Sequence, residues 1–139
     1  EGNFVAKGKS SWVFLNMETG KPARIEPRFV EPYGTHEPLP MPPESRRVVI
    51  PESREFRDPL TIRRGQIDTN EHVNNAEYVQ MALEQLDREI DPHVLRVDYR
   101  RAAVLGDLVR PGIGRNKEGN LVITLDDTND TMFASIELI

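Results

Sequence analysis

The chain has 139 residues, of which 37% are hydrophobic, enough for one modest core but not for two. A formal charge of -5 and a pI of about 5.2 give no chain-wide basic field, which argues against nucleic acid or an anionic membrane surface as a partner. There is no cysteine, hence no disulfide framework, thiolate nucleophile or cysteine-bound zinc. With no charged-then-apolar leader and no apolar run of spanning length, the expectation is a soluble protein of the cytoplasm with no membrane partner.

In chain order, residues 11–17 place Trp12, Val13, Phe14 and Leu15 ahead of the turn-like Glu18-Thr19-Gly20-Lys21, a strand and a reversal. Nine of the 11 prolines then fall between Pro22 and Pro59, including Pro38, Pro40, Pro42 and Pro43. Proline removes a ladder donor and fixes φ, so residues 36–44 are expected to run extended over a surface. The expected division is a first segment at 1–30, a proline-rich linker at 31–45 and a main domain at 46–139. Residues 56–67 read as a strand interrupted near Pro59. A helix follows over residues 75–90, with Val79, Ala82, Leu83, Leu86 and Ile90 on one stripe and Glu77, Gln80, Glu84, Asp87 and Arg88 opposite. Asn74 and Glu77 have capping-box spacing, and Asp91-Pro92 is a stop.

The remainder is strand-like. Leu95, Val97 and Tyr99 alternate with Arg96, Asp98 and Arg100, and residues 108–115, 121–125 and 132–138 follow, separated by Gly106-Asp107, Glu118-Gly119-Asn120 and Thr128-Asn129-Asp130. Pro111 belongs at an edge or a bulge. One helix followed by consecutive antiparallel strands predicts an α+β fold whose sheet curls around that helix.

Chemistry concentrates in Asp68-Thr69-Asn70-Glu71-His72-Val73-Asn74-Asn75. Acids, amides and a cap residue are what any strand-to-helix turn contains, but here an imidazole joins them. If the segment is extended, Asp68, Asn70 and His72 share an orientation, and Val73, Asn74 and Asn75 offer free N–H groups at the helix start. A base beside an anion-stabilising site is what thioester hydrolysis requires. On this reading His72 and Asn70 face an apolar cavity. Tyr78 and Met81 flank the apolar stripe, as core or as the lining of a substrate pocket. Arg63, Arg64, Arg100 and Arg101 are solvated faces or a local patch for an acidic partner. No metal or cofactor set is found: His36 and His93 stand near prolines without ligand-like company, and no glycine-rich phosphate loop is present.

The eight-residue motif, with Tyr78-Val79 and Leu83-Glu84 after it, resembles the signature of the fatty acyl-ACP thioesterases. Upstream, Ser11-Trp12-Val13, Thr19 and Lys21-Pro22-Ala23-Arg24-Ile25 are similar to the segment that closes the family's first hotdog domain. Downstream, Val97-Asp98-Tyr99-Arg100-Arg101 and Gly106-Asp107 also fit. The resemblance implies a hotdog fold, an antiparallel sheet wrapped around one long helix, and hydrolysis of fatty acyl thioesters on acyl carrier protein without a cofactor. It implies Asp68, Asn70 and His72 as catalytic residues, with the backbone of Val73, Asn74 and Asn75 for the oxyanion and Tyr78 and Met81 near the substrate. Family members carry two hotdogs in tandem. This chain resembles the second, so either it is a fragment or it self-associates as a homodimer or larger oligomer, with Trp12, Phe14 and Leu15 covering the interface. It departs from the family where a carboxylate is expected, since Ala102 and Ala103 stand there. A hotdog acyl-CoA thioesterase or hydratase, or a non-catalytic acyl-binding or scaffold domain, would use the same residues.

Overall fold

The computed structural model describes residues 3–34, 36–41, 47–87 and 90–139. The proline pair Pro42-Pro43, the rest of the expected linker to 45, the expected domain start at 46, and Arg88 lie outside the described residues. The chain separates into two compact units, Glu1–Pro42 and Pro43–Ile139.

In the first unit the expected strand over residues 11–17 reduces to a single bridge, Leu15 to Pro22, closed by a tight turn. Asn16 holds that turn by accepting from Glu18 and Thr19 N–H through its side chain, each at 2.9 Å. A two-strand ribbon without a third strand or a packed face has little to stabilise it, which accounts for the shortened pairing. Residues expected to form the end of the first segment and the linker instead make two helical turns, α1 (Pro27–Val30) and a 3-10 turn at Glu31–Tyr33. Proline lies in the opening turn of each, where a missing N–H costs nothing. Phe14 and Phe29 meet with ring centroids 6.3 Å apart, whereas Trp12 is 80% exposed.

The second unit is built on six antiparallel strands: β1 (Glu55–Phe56), β2 (Leu60–Thr61), β3 (Leu95–Tyr99), β4 (Leu108–Arg115), β5 (Leu121–Asp126) and β6 (Met132–Leu138). Their order is β1-β4-β5-β6-β3, with β2 also on β4. The strand expected over residues 56–67 is therefore two short strands and a 3-10 turn at Arg64–Gln66. Pro111 explains the split. Phe56 pairs with Gly112 and Leu60 with Val109, so three residues, Arg57 to Pro59, face two, Arg110 and Pro111. This bulge falls where Pro111 has no N–H to give.

Helix α2 (Asn75–Leu83) lies against β5 and β6. It begins at the expected residue, with Asn74 as cap accepting from Ala76 N–H at 2.9 Å, but it ends seven residues short of Ile90. After Leu83 the bonds shorten to i→i−3, Gln85 N–H to Ala82 O and Leu86 N–H to Leu83 O. The Gln85 side chain takes Met81 O, the carbonyl that Gln85 N–H would have used in an α-helix. The buried face also differs from the expected stripe. Tyr78, Met81 and Ala82 are buried, while Leu83 is 40% exposed and Val79 only half-buried.

β5 and β6 are buried on both faces, as the nearly unbroken apolar run of β5 suggests. Ile123, Leu125, Ala134 and Ile136 join the core with Tyr78, Met81 and Ala82. On the other face Arg54 donates at 2.6 Å to both Thr124 Oγ1 and Asp126 Oδ2, and Arg96 meets buried Glu137 at 2.6 Å. Residues 51–56 form a strap over this face, and the glycines of β4 make room for it. A Cβ on Gly114 would stand 2.5 Å from Ser53 O and 2.9 Å from Pro51 Cβ. Gly114→Ala should therefore destabilise the domain by about 1–3 kcal/mol in urea unfolding. Gly65→Ala, with nothing within 4 Å, should stay within about 0.5 kcal/mol; equal effects at the two sites would show that the strap does not rest on β4.

Candidate active site

The motif is a tight loop rather than an extended segment, which corrects the expected geometry. Ile67 and Val73 bridge across it, Asp68 N–H donates to His72 O at 2.8 Å, and Glu71 adopts a left-handed φ of 60°. Asp68 organises the turn. Its Oδ1 accepts from Asn70 N–H at 2.7 Å and from His72 N–H at 3.3 Å. The Asn70 N–H bond, helped by the weaker one from His72, holds the carboxyl below its ordinary value of 3.8 against the opposing desolvation. Asp68 thus acts on the imidazole by shaping the backbone that carries it.

Of the three N–H groups expected to be free, two are committed. Val73 N–H donates to Ala103 O and Asn74 N–H to Gln66 O, both at 2.9 Å. Only that of Asn75, first residue of α2, has no partner among the described residues. It lies at the positive end of the helix dipole. The commitment has a structural cause: Val73 is buried at 4% exposure, and a buried N–H without an acceptor would be costly.

Position 102 is held beside this loop. Ala103 N–H donates to Tyr78 Oη at 2.7 Å while Ala103 O takes Val73 N–H. Tyr99 caps the arrangement: its ring meets Tyr78 edge-on at 5.7 Å and its hydroxyl donates to Asn75 O at 2.9 Å. Burial pushes both phenols above their ordinary range, so both stay protonated at neutral pH. Tyr78 and Met81 are 2% and 3% exposed and sit in the core cluster. Sequence reasoning missed Tyr99 as a support; its place at the end of β3, beside the expected helix start, was the available signal.

Asn70 and His72 side chains are exposed, and neither cleft found among the described residues is lined by them. Among the described residues, the two side chains line neither of these clefts, and the expected apolar cavity beside them is not seen there. Next to the loop, Val73, Tyr78 and Ala103 belong to the buried core. Ala102 is exposed as well. Of the four arginines, Arg100 pairs with Asp98 and Arg101 with Asp127 while stacking on Phe133. Arg63 and Arg64 have no carboxylate partner among the described residues. No group of three or more His, Cys, Asp or Glu placed to hold a metal occurs among the described residues.

The sheet order, the helix across β5 and β6 and the loop at its start define a hotdog domain. A solved 12:0-ACP thioesterase from Umbellularia californica superposes with a TM-score of 0.69 at 17% identity, over 89% of this chain and 51% of that one. An oleoyl thioesterase (putative) from Lactobacillus plantarum gives 0.69 at 20% identity, over 89% and 52%. Residues 51–137 match the acyl-ACP thioesterase C-terminal domain, and the chain belongs to that family. Oleoyl-acyl carrier protein thioesterase 2, chloroplastic, of Arabidopsis thaliana is 30% identical over 96% of this chain and 40% of its own length. The chain thus spans about two fifths of that relative and half of the solved ones.

Because the folded-state pKa of Asp68 is depressed, the order it confers on the loop is fully present above its unfolded value. That order is lost as pH falls through the lower folded value. A carboxyl titration by NMR should place the Asp68 midpoint below 3.8, with Asn70 amide protection disappearing over the same range. A midpoint at or above 3.8 would contradict the Asx-turn assignment.

Proposed function

We propose that this domain supplies the acid, amide and imidazole of a thioesterase that releases fatty acids from acyl carrier protein in the cytoplasm. The observation that carries the reading is the intact motif from Asp68 to Asn75, on a loop fixed at both ends, in a chain of this family. His72 takes a proton from water as it attacks the thioester carbonyl, Asn70 holds the water or the carbonyl, and Asp68 maintains the loop. Asn75 N–H and the helix dipole stabilise the oxyanion. As the intermediate collapses, the C–S bond breaks and His72 returns the proton to the leaving thiolate. Arg63 and Arg64 provide a local attraction for an acidic carrier on a chain that is acidic as a whole.

Hydrolysis at this loop needs a wall over His72 and Asn70, whose side chains are exposed among the described residues. A second hotdog domain fits that need, as a homodimer partner or a tandem neighbour, with the exposed Trp12, Phe14 and Leu15 available to the contact. Ala102 favours a second reading, an acyl-binding or scaffold domain without turnover, because the resemblance implies a carboxylate at that place.

Thiol release from acyl-ACP and acyl-CoA, with solution mass measured in parallel, separates these readings. The thioesterase reading expects turnover by a dimer, higher on acyl-ACP, and a loss of about 10² to 10⁴ in His72→Ala. It also expects Ala102→Glu to raise the rate. Equal rates for wild type and His72→Ala would remove the imidazole from the chemistry. Ligand retention with no turnover in wild type or Ala102→Glu would favour the scaffold.

A further inference from the structure

A separate cleft opens at the other end of α2. Its volume is about 590 Å³, within the range that small-molecule sites occupy. Nine residues at about 1.5 Å each put roughly 13 Å of helix between it and the motif. Leu86, Ile113 and Leu121 are half-buried, packing on the core with one side and lining the cleft with the other. Leu138 closes the floor, and Ile139 forms a wall fixed by backbone bonds from His93 and Val94 N–H to its carbonyl oxygen. These aliphatic groups come from three strands and the segment after α2 and converge on one hollow, with no aromatic ring among the described lining residues to stack a base or a sugar.

The charges at the rim restrict what can enter. Arg57 is occupied by Glu55 at 3.0 Å and Asp87 at 3.2 Å. Arg115 donates to Gly119 O at 2.7 Å and has no carboxylate partner among the described residues. Asp91 shares the rim, so among the described lining residues the two arginines, Arg57 and Arg115, balance the two carboxylates, Asp87 and Asp91. A polyanion gains nothing from such a lining. A long alkyl chain with a single negative head does, because the chain covers the aliphatic floor and the head completes the ion pair that Arg115 lacks.

We propose that this cleft is a ligand site for a fatty acid, its alkyl chain on Leu86, Ile113 and Leu121 and its carboxylate at Arg115. The site goes beyond the thioesterase reading and does not rest on it, since it requires no turnover and no contact with His72.

The test is an amide NMR titration of the full chain with dodecanoate, kept below its micelle concentration, with dodecanol and inorganic phosphate as separate arms. Dodecanoate should shift Ile113, Gly119, Asn120, Leu121 and Ile139 while leaving residues 68–75 in place, and phosphate should shift none of them. Arg115→Gln should weaken dodecanoate about two- to fivefold and leave dodecanol unchanged. Leu121→Arg should weaken both by at least about tenfold, with the spectrum reporting that the fold is intact. His72→Ala should bind as wild type does, so loss of the enzymatic reading leaves this one standing. Shifts confined to residues 68–75, no saturable shift at the cleft, or equal affinity for dodecanoate in wild type and Arg115→Gln would overturn the assignment.

Discussion

Both backbone groups of Ala103 are spoken for, and the candidate site depends on that. Its oxygen accepts Val73 N–H and its own N–H donates to Tyr78 Oη, at a residue with no exposed surface. Leaving either partner unmade in that setting would cost on the order of 1–3 kcal/mol. The end of the motif loop, the first turn of α2 and the segment after β3 are thereby tied to one another. Tyr99 adds a third tie through Asn75 O. The loop can then carry Glu71 in a left-handed conformation, because its ends are fixed from outside.

This clamp shows why the chain presents its motif as it does. The N–H groups of Val73 and Asn74 are consumed in building the loop, so among the described residues the helix start retains one unpartnered donor, at Asn75. Asp68 is consumed likewise, on Asn70 and His72 N–H. The side chains of Asn70 and His72 are left facing outward. On the proposed reading the domain is one wall of a site whose other wall is a second hotdog, in keeping with a chain that spans two fifths of its Arabidopsis relative.

Much of the fold was legible because single residues with strong local preferences mark it. Asn74 announces the start of α2, Pro111 the bulge between β1 and β2, and the alternation over residues 95–100 the strand β3. The strands β4, β5 and β6 fall within a residue of their expected limits. The helix end was not legible, since it turns on Gln85 capturing Met81 O through its side chain, a competition that periodicity does not register. Nor was its buried face. Val79 and Leu83 are as apolar as Tyr78 and Met81, and hydrophobicity alone does not tell a core face from an exposed one. In the motif, residue identity singled out a loop that the structure fixes at both ends, while spacing misled about its shape. Three polar residues two apart suggest a strand, but Asp68 bonds Asn70 N–H and bends the chain. The exposure of His72 is a matter of tertiary structure that a single sequence does not display.

Tyr78→Phe, followed by amide hydrogen exchange residue by residue, tests the clamp most directly, because it removes the acceptor for Ala103 N–H while keeping the buried ring. Ala103 and Val73 should exchange markedly faster than in the wild type, with Asn74 and the loop amide of Asn70 following, while Ile123 and Ile136 in the core retain their protection. Unchanged exchange at Ala103 and Val73 would mean that the loop and the helix start are held by something other than this pair of bonds.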